Sequence, residues 1–292
     1  MRVVLVELTS VSPVGGFLIF IYGALIGSFL NVVIYRCPLE RSIVVPGSGC
    51  GTCGTPLRWW ENIPILAYFL LGGRCATCGT PYSWRYAALE TLTALAAVCS
   101  YLHYEGLNLQ SLYAFIFFCL LLVVFFTDYD HWIILDSVTY GGMAVGMMGG
   151  LFMPLRQDFQ FFDFYLLPAS WLATWGEGPW LNVVSSLYGM ILGASFYWAI
   201  QILGGMVTKQ EAMGSGDIKL AAMIGSFLGW SLGLCSFFLS FILGALVAGA
   251  MLLGGGRRGK DPLPLGTFMA IAAWVVFWMQ GRFWDWLWQL TW

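Results

Sequence analysis

Two acidic motifs in this chain have the residue types and surroundings for carboxylate chemistry. The first is Gly214-Ser215-Gly216-Asp217-Ile218-Lys219, which opens an apolar run over residues 220–228. The glycines allow a tight turn and a close approach to the backbone. An ionisable residue at the end of a membrane helix is costly and marks function by default. Taken alone, Asp217 would equally serve as a helix-start residue complementing the dipole. The second motif, Asp128-Tyr129-Asp130, ends the apolar run 115–127, with His131 and Asp136 close behind. Asp136-Ser137 reads as the N-cap of the next helix, which accounts for Asp136 but not for Asp128 as well. Two carboxylates brought close cannot both ionise and so share a proton. One can then activate water while the other polarises a scissile carbonyl, and their titration belongs to the pair. Asp128 and Asp217 are the pair this reading selects. His131 reads as a hydrogen-bonded residue at a helix end. No His-Glu-x-x-His is present, so zinc-hydrolase chemistry has no support, and serine-hydrolase chemistry is likewise not expected.

A third group is built for metal rather than for acid–base work. Cys50-Gly51-Thr52-Cys53 and Cys75-Ala76-Thr77-Cys78 are two Cys-x-x-Cys pairs about twenty residues apart. That spacing can set four thiolates tetrahedrally around one structural zinc ion. The glycines Gly51, Gly54 and Gly79 suit tight knuckle turns. If the loop is cytoplasmic, stable disulfides are disfavoured there, and the metal would fix a segment too short to build its own core. Cys37, Cys99, Cys119 and Cys235 lack such partners and read as buried small apolar residues.

The elements that must position these groups are membrane helices. Of 292 residues, 59% are hydrophobic, 17% aromatic and only 10% charged, more apolar surface than a soluble domain can hide. The net charge of −2 lacks the basic footprint of a nucleic-acid binder. The expected fold is an all-α polytopic membrane protein. Spans are expected near 14–34, 86–104, 110–127, 137–153, 181–205, 217–231, 233–253 and 265–280, about eight in all. The first reads as a permanent helix rather than a cleavable signal. Segment 155–180 reads as an interfacial loop, and the tryptophan-rich tail 284–292 as an interfacial belt. With the loop 36–85 placed in the cytoplasm, ten of the thirteen Lys and Arg residues fall on that side. By the positive-inside asymmetry, both termini then lie outside and both acidic motifs at the cytoplasmic face. Gly27-Ser28-Phe29-Leu30 recurs at Gly225-Ser226-Phe227-Leu228, which reads as small-residue helix packing. No long repeat is expected.

Together these motifs resemble the type IV prepilin leader peptidases, bifunctional membrane enzymes that also N-methylate the new amino terminus. The resemblance covers nearly the whole chain. It is carried by Gly27-Ser28-Phe29-Leu30-Asn31-Val32-Val33-Ile34-Tyr35-Arg36, the four cysteines, and Trp59-Trp60-Glu61-Asn62-Ile63-Pro64. Gly73-Arg74-Cys75, then Ser83-Trp84-Arg85-Tyr86 with Glu90, and the two acidic motifs continue it. By position, the resemblance implies that Asp128 and Asp217 are the catalytic aspartates, with Gly214, Gly216 and Lys219 around the second. Asp130 and Asp136 match acidic positions without the chemistry. One departure is Leu135, where the family usually has proline before Asp136, which would loosen a turn.

The resemblance further implies prepilin or pseudopilin substrates, membrane lipid as surroundings, and a bacterial cytoplasmic (inner) membrane location. The methyl donor would be S-adenosyl-L-methionine. No Gly-x-Gly-x-x-Gly follows a strand, so no soluble methyltransferase fold is expected. The implied layout is a first helix over 1–35, a zinc loop linked to methyl transfer over 36–85, and a peptidase core over 86–292. A presenilin-type protease would promote Asp130 instead, but has no use for the four-cysteine loop. A proton-coupled transporter would put its acids near the bilayer midplane rather than at helix ends.

Overall fold

The computed structural model describes residues 12–152, 179–208, 213–253 and 264–291. Among them every extended element is a helix: α1 (Pro13–Arg36), α2 (Leu66–Leu70), α3 (Arg85–His103), α4 (Leu109–His131), α5 (Asp136–Gly149), α6 (Pro179–Thr208), α7 (Ser215–Leu253) and α8 (Leu265–Thr291). A helix stands at every position where a span is expected. Four stretches are long and apolar enough to cross a membrane: Pro13–Leu39, Leu109–His131, Asn182–Met206 and Ser215–Met251; Leu265–Met279 is a shorter apolar helix. α3 and α5 do not meet that test, so the expected number of eight crossings is not established. The expected loop at 155–180 and the basic residues Lys209, Arg257, Arg258 and Lys260 lie largely or wholly outside the described residues.

Two compact units divide the chain at residues 119 and 120, within α4. In the first, α1 starts on Ser12, whose hydroxyl accepts from Gly15 N–H, with Pro13 in the first turn. It packs along α3 through Gly23 and Gly27. A Cβ on Gly23 would lie 2.7 Å from Ala94 Cα, and one on Gly27 2.7 Å from Glu90 Cα. Only a missing side chain allows two backbones this close. The opposite face of α1 leaves Phe17, Leu18 and Leu25 exposed, as a bilayer-facing surface requires. After α1, the Arg36 guanidinium donates to the carbonyls of Ser42, Pro46 and Gly47 and so ties down the start of the loop.

The second unit is organised around α7, whose residues 220–229 are buried without interruption. α6 approaches it through Gly189 and Gly193. A Cβ on Gly189 would collide with the backbone of Gly225 and Gly229, and one on Gly193 with that of Ala221. α7 breaks at Gly229, where φ is 77° and ψ −173°, close to the expected boundary between the spans 217–231 and 233–253. The recurring Gly-Ser-Phe-Leu is packing in both places: Gly27 faces α3 and Gly225 faces α6. Buried hydroxyls bond back into their own helices, as Ser226 does to Met223 O at 2.6 Å and Ser240 to Phe237 O at 2.7 Å.

Candidate active site and metal centre

Asp128 lies in the last turn of α4, carried there by the apolar run before it, and is only 6% exposed. Its Oδ2 accepts from Thr267 N–H at 2.8 Å and lies 3.3 Å from the Thr267 hydroxyl. Thr267 is in the first turn of α8, where backbone N–H groups have no partner within their own helix. Asp128 therefore satisfies the start of α8, and its carboxylate is fixed by a distant part of the chain. Gly266 makes that approach possible: a Cβ there would lie 3.0 Å from Asp128 Oδ2 and 3.0 Å from Ile134 Cδ1.

Asp217 occupies the first turn of α7, half-buried, with its N–H turned back to Gly214 O at 3.3 Å. A Cβ on the preceding Gly216 would lie 3.1 Å from Ile134 Cβ. Ile134 thus touches the glycine beside Asp217 and the glycine against Asp128. One side chain, Ile134, therefore borders the surroundings of both acids. Tyr197 is fully buried, with its hydroxyl 3.2 Å from Ser240 Oγ.

The other acids of the second motif are placed differently. Asp130 is exposed in the last turn of α4, and His131 is half-buried at its end. Asp136 is not the expected N-cap. Leu135 occupies that position without a side-chain bond, and Asp136 is the first helical residue. Its carboxylate pairs instead with Lys219, Nζ to Oδ1 at 2.7 Å, because a charged donor competes better than an uncapped N–H. This ion pair ties the start of α5 to the start of α7.

Gly229-Trp230-Ser231-Leu232-Gly233 has the spacing of a serine-nucleophile elbow. It lies within α7 rather than on a strand-to-helix turn, and Ser231 is buried, so it offers no exposed nucleophile.

Chain reversals bring the four expected cysteines together in the first unit. Their ligand atoms all lie within 4.8 Å of one another, and Cys50 Sγ and Cys78 Sγ are 3.8 Å apart. Four thiolates about 2.3 Å from a tetrahedral ion would stand about 3.8 Å from each other. The donor set therefore fits one such ion. None of the eight cysteines forms a disulfide.

The two knuckles repeat one construction. Gly54 N–H reaches Cys50 O and Cys50 N–H reaches Thr55 O; Gly79 to Cys75 and Cys75 to Thr80 match them. Gly54 and Gly79 both sit at φ 69°, which favours glycine, whereas Gly51 has no such need and its counterpart is Ala76. The repeat is written in the sequence as Cys-x-Thr-Cys-Gly-Thr-Pro at 50–56 and 75–81, a short recurrence confined to the knuckles. Hydrogen bonding to Thr80 lowers the Cys78 thiol to about 6, which favours the ligating thiolate.

Cys99 departs from expectation. It is exposed, on the same α3 stripe as the exposed Leu92, Leu95 and Leu102, rather than on the packed face. Cys37, Cys119 and Cys235 are half-buried.

Fold and site thus define an all-helical, multi-pass membrane protein with a buried carboxylate at Asp128 and a separate four-thiol centre. Residues 115–249 match the model of the type IV leader peptidase family, and residues 21–104 that of the bacterial peptidase A24 N-terminal domain. A prepilin leader peptidase/N-methyltransferase of Dichelobacter nodosus is 31% identical over 91% of this chain and 92% of its own length. The protein so named from Myxococcus xanthus is 36% identical over 85% of this chain and 66% of its own length. That from Aeromonas salmonicida is 31% identical, covering 88% of each chain. The chain belongs to the type IV leader peptidase family. No solved structure matches it.

Proposed function

We propose that this chain is a membrane aspartyl endopeptidase that removes the leader from type IV prepilin or pseudopilin precursors and N-methylates the new amino terminus. The observation that carries the reading is Ile134 bridging the glycines beside Asp128 and Asp217, in a chain whose relatives are named for both activities. With one proton between them, the ionised carboxylate draws a proton from water as its oxygen adds to the scissile carbonyl carbon. The protonated one donates a hydrogen bond to the carbonyl oxygen. Proton transfer to the amide nitrogen then lets the C–N bond break. Thr267 and Gly266 hold Asp128 in position throughout, and Asp130 takes no part.

Cys50, Cys53, Cys75 and Cys78 would hold zinc, which supplies a structural cross-link for the loop. S-adenosylmethionine would supply an electrophilic methyl group. The positive-inside asymmetry supports an inner-membrane enzyme with its acids at the cytoplasmic face, beside a basic leader. The test is mass spectrometry of a prepilin-like precursor with purified protein and S-adenosylmethionine. Asp128→Asn and Asp217→Asn should each abolish leader loss with the fold intact. Full cleavage by either variant would refute the pair.

A further inference from the structure

The first unit contains a cavity of about 540 Å³, bounded by α1, the knuckle loop and the start of α3. Its size lies within the range of small-molecule sites, and the aspartate chemistry does not use it. Resting on the methyl-transfer reading above, we infer that this cavity is the binding site for S-adenosylmethionine, with Glu90 as the carboxylate opposite the sulfonium.

Charge and shape both argue for that ligand. Glu90 is 9% exposed, and its Oε2 accepts from Ile65 N–H at 2.6 Å. It has no ion-pair partner among the described residues. A carboxylate withdrawn from water without a cation is costly, and a cationic ligand offsets that cost. Arg36 is the one basic side chain lining the cavity, and its guanidinium is held by three loop carbonyls. Glu61 adds a second carboxylate to the wall. S-adenosylmethionine carries a net positive charge, so the balance suits it better than an anionic nucleotide.

Its flat adenine needs aromatic surface. Tyr68, Tyr82 and Tyr86 form a chain of edge-to-face rings, 5.5 Å and 6.3 Å between centroids, along the same wall. Gly73, at φ 66°, leaves room for the Tyr68 ring, which a Cβ would meet at 3.0 Å. Tyrosine rings also favour a sulfonium through their negative faces. Cys50 and Cys75, the first cysteine of each knuckle, line the cavity too. The four-thiol centre and the cavity therefore share a wall, and an ion bound there would hold that wall in place.

Equilibrium dialysis of the full chain in detergent, with S-adenosylmethionine and with its neutral product S-adenosylhomocysteine, tests the assignment. Circular dichroism and metal content serve as checks on the fold. Glu90→Gln, which keeps an acceptor for Ile65, should weaken S-adenosylmethionine about tenfold or more while changing S-adenosylhomocysteine little. Tyr82→Ala should weaken both, and carries the test if Glu90→Gln does not fold. If the wild type binds and transfers methyl groups but both folded variants bind as it does, this assignment falls and the function stands. If the wild type neither binds nor transfers, the methyl-transfer reading falls and takes the site with it. Displacement of bound S-adenosylmethionine by a short basic leader peptide, undiminished in the variants, would also overturn it.

Discussion

Substituting Gly266 by alanine tests how Asp128 is held while leaving both carboxylates chemically intact. The added Cβ would lie 3.0 Å from Asp128 Oδ2, 3.1 Å from Asp128 Cγ and 3.0 Å from Ile134 Cδ1. Ile134 can turn its terminal methyl aside at little cost. The carboxylate cannot retreat without lengthening its 2.8 Å bond from Thr267 N–H. A hydrogen bond to a charged group is worth about 1.5–3 kcal/mol. If the fixed position is needed for water attack, losing that bond should lower kcat/KM for leader cleavage by about 10- to 100-fold. Thr267→Val leaves the backbone donor in place and removes only the 3.3 Å hydroxyl contact. It should cost only a few-fold. The assay is steady-state cleavage of a prepilin-like precursor, with thermal unfolding confirming that Gly266→Ala remains folded. Cleavage by folded Gly266→Ala within about twofold of wild type would refute the argument that the start of α8 positions the acid.

Asp130→Asn should retain substantial cleavage because Asp130 is exposed; loss matching that of Asp128→Asn in the same assay would move the chemistry to Asp130. Cys50→Ser should reduce bound metal, measured by elemental analysis, and make the loop 36–85 more susceptible to limited proteolysis. Asp136→Asn breaks an ion pair whose carboxylate side chain is 60% exposed. It should therefore change stability by less than about 1 kcal/mol, read from thermal unfolding. Gly189→Val drives a side chain into the backbone of α7. It should destabilise the second unit by about 1–3 kcal/mol or more, and an unchanged melting temperature in detergent would count against the close α6–α7 contact.

Much of this architecture is written locally, and so was open to reading in one dimension. Apolar runs long enough to cross a bilayer can only be helices there, which is why α1, α4, α6 and α7 stand where spans are expected. Knuckle chemistry is also local: two cysteines three positions apart, followed by a glycine that can take positive φ, specify the turn before any partner arrives. The same locality explains the misplaced cap. Asp136 has the residue type of an N-cap, and nothing nearby in the chain announces that Lys219, eighty-three residues on, would draw its carboxylate away.

Cys99 shows the same limit from the other side, since a small apolar residue on a membrane helix suits a packed face and a lipid face equally. The sequence by itself determined the material: membrane helices, four thiols spaced for one ion, and two acids at helix ends. Tertiary structure alone decided what meets what. Thr267 lies 139 residues from Asp128, and its role depends on an unpaired N–H whose position is set by the packing of α8 on α7. The cavity beside Glu90 exists because Gly23 and Gly27 let α1 close on α3 while the knuckle loop folds back over their ends. Hydrogen bonds and cavities are properties of distances in space, and separation along the chain does not encode them until the helices have packed.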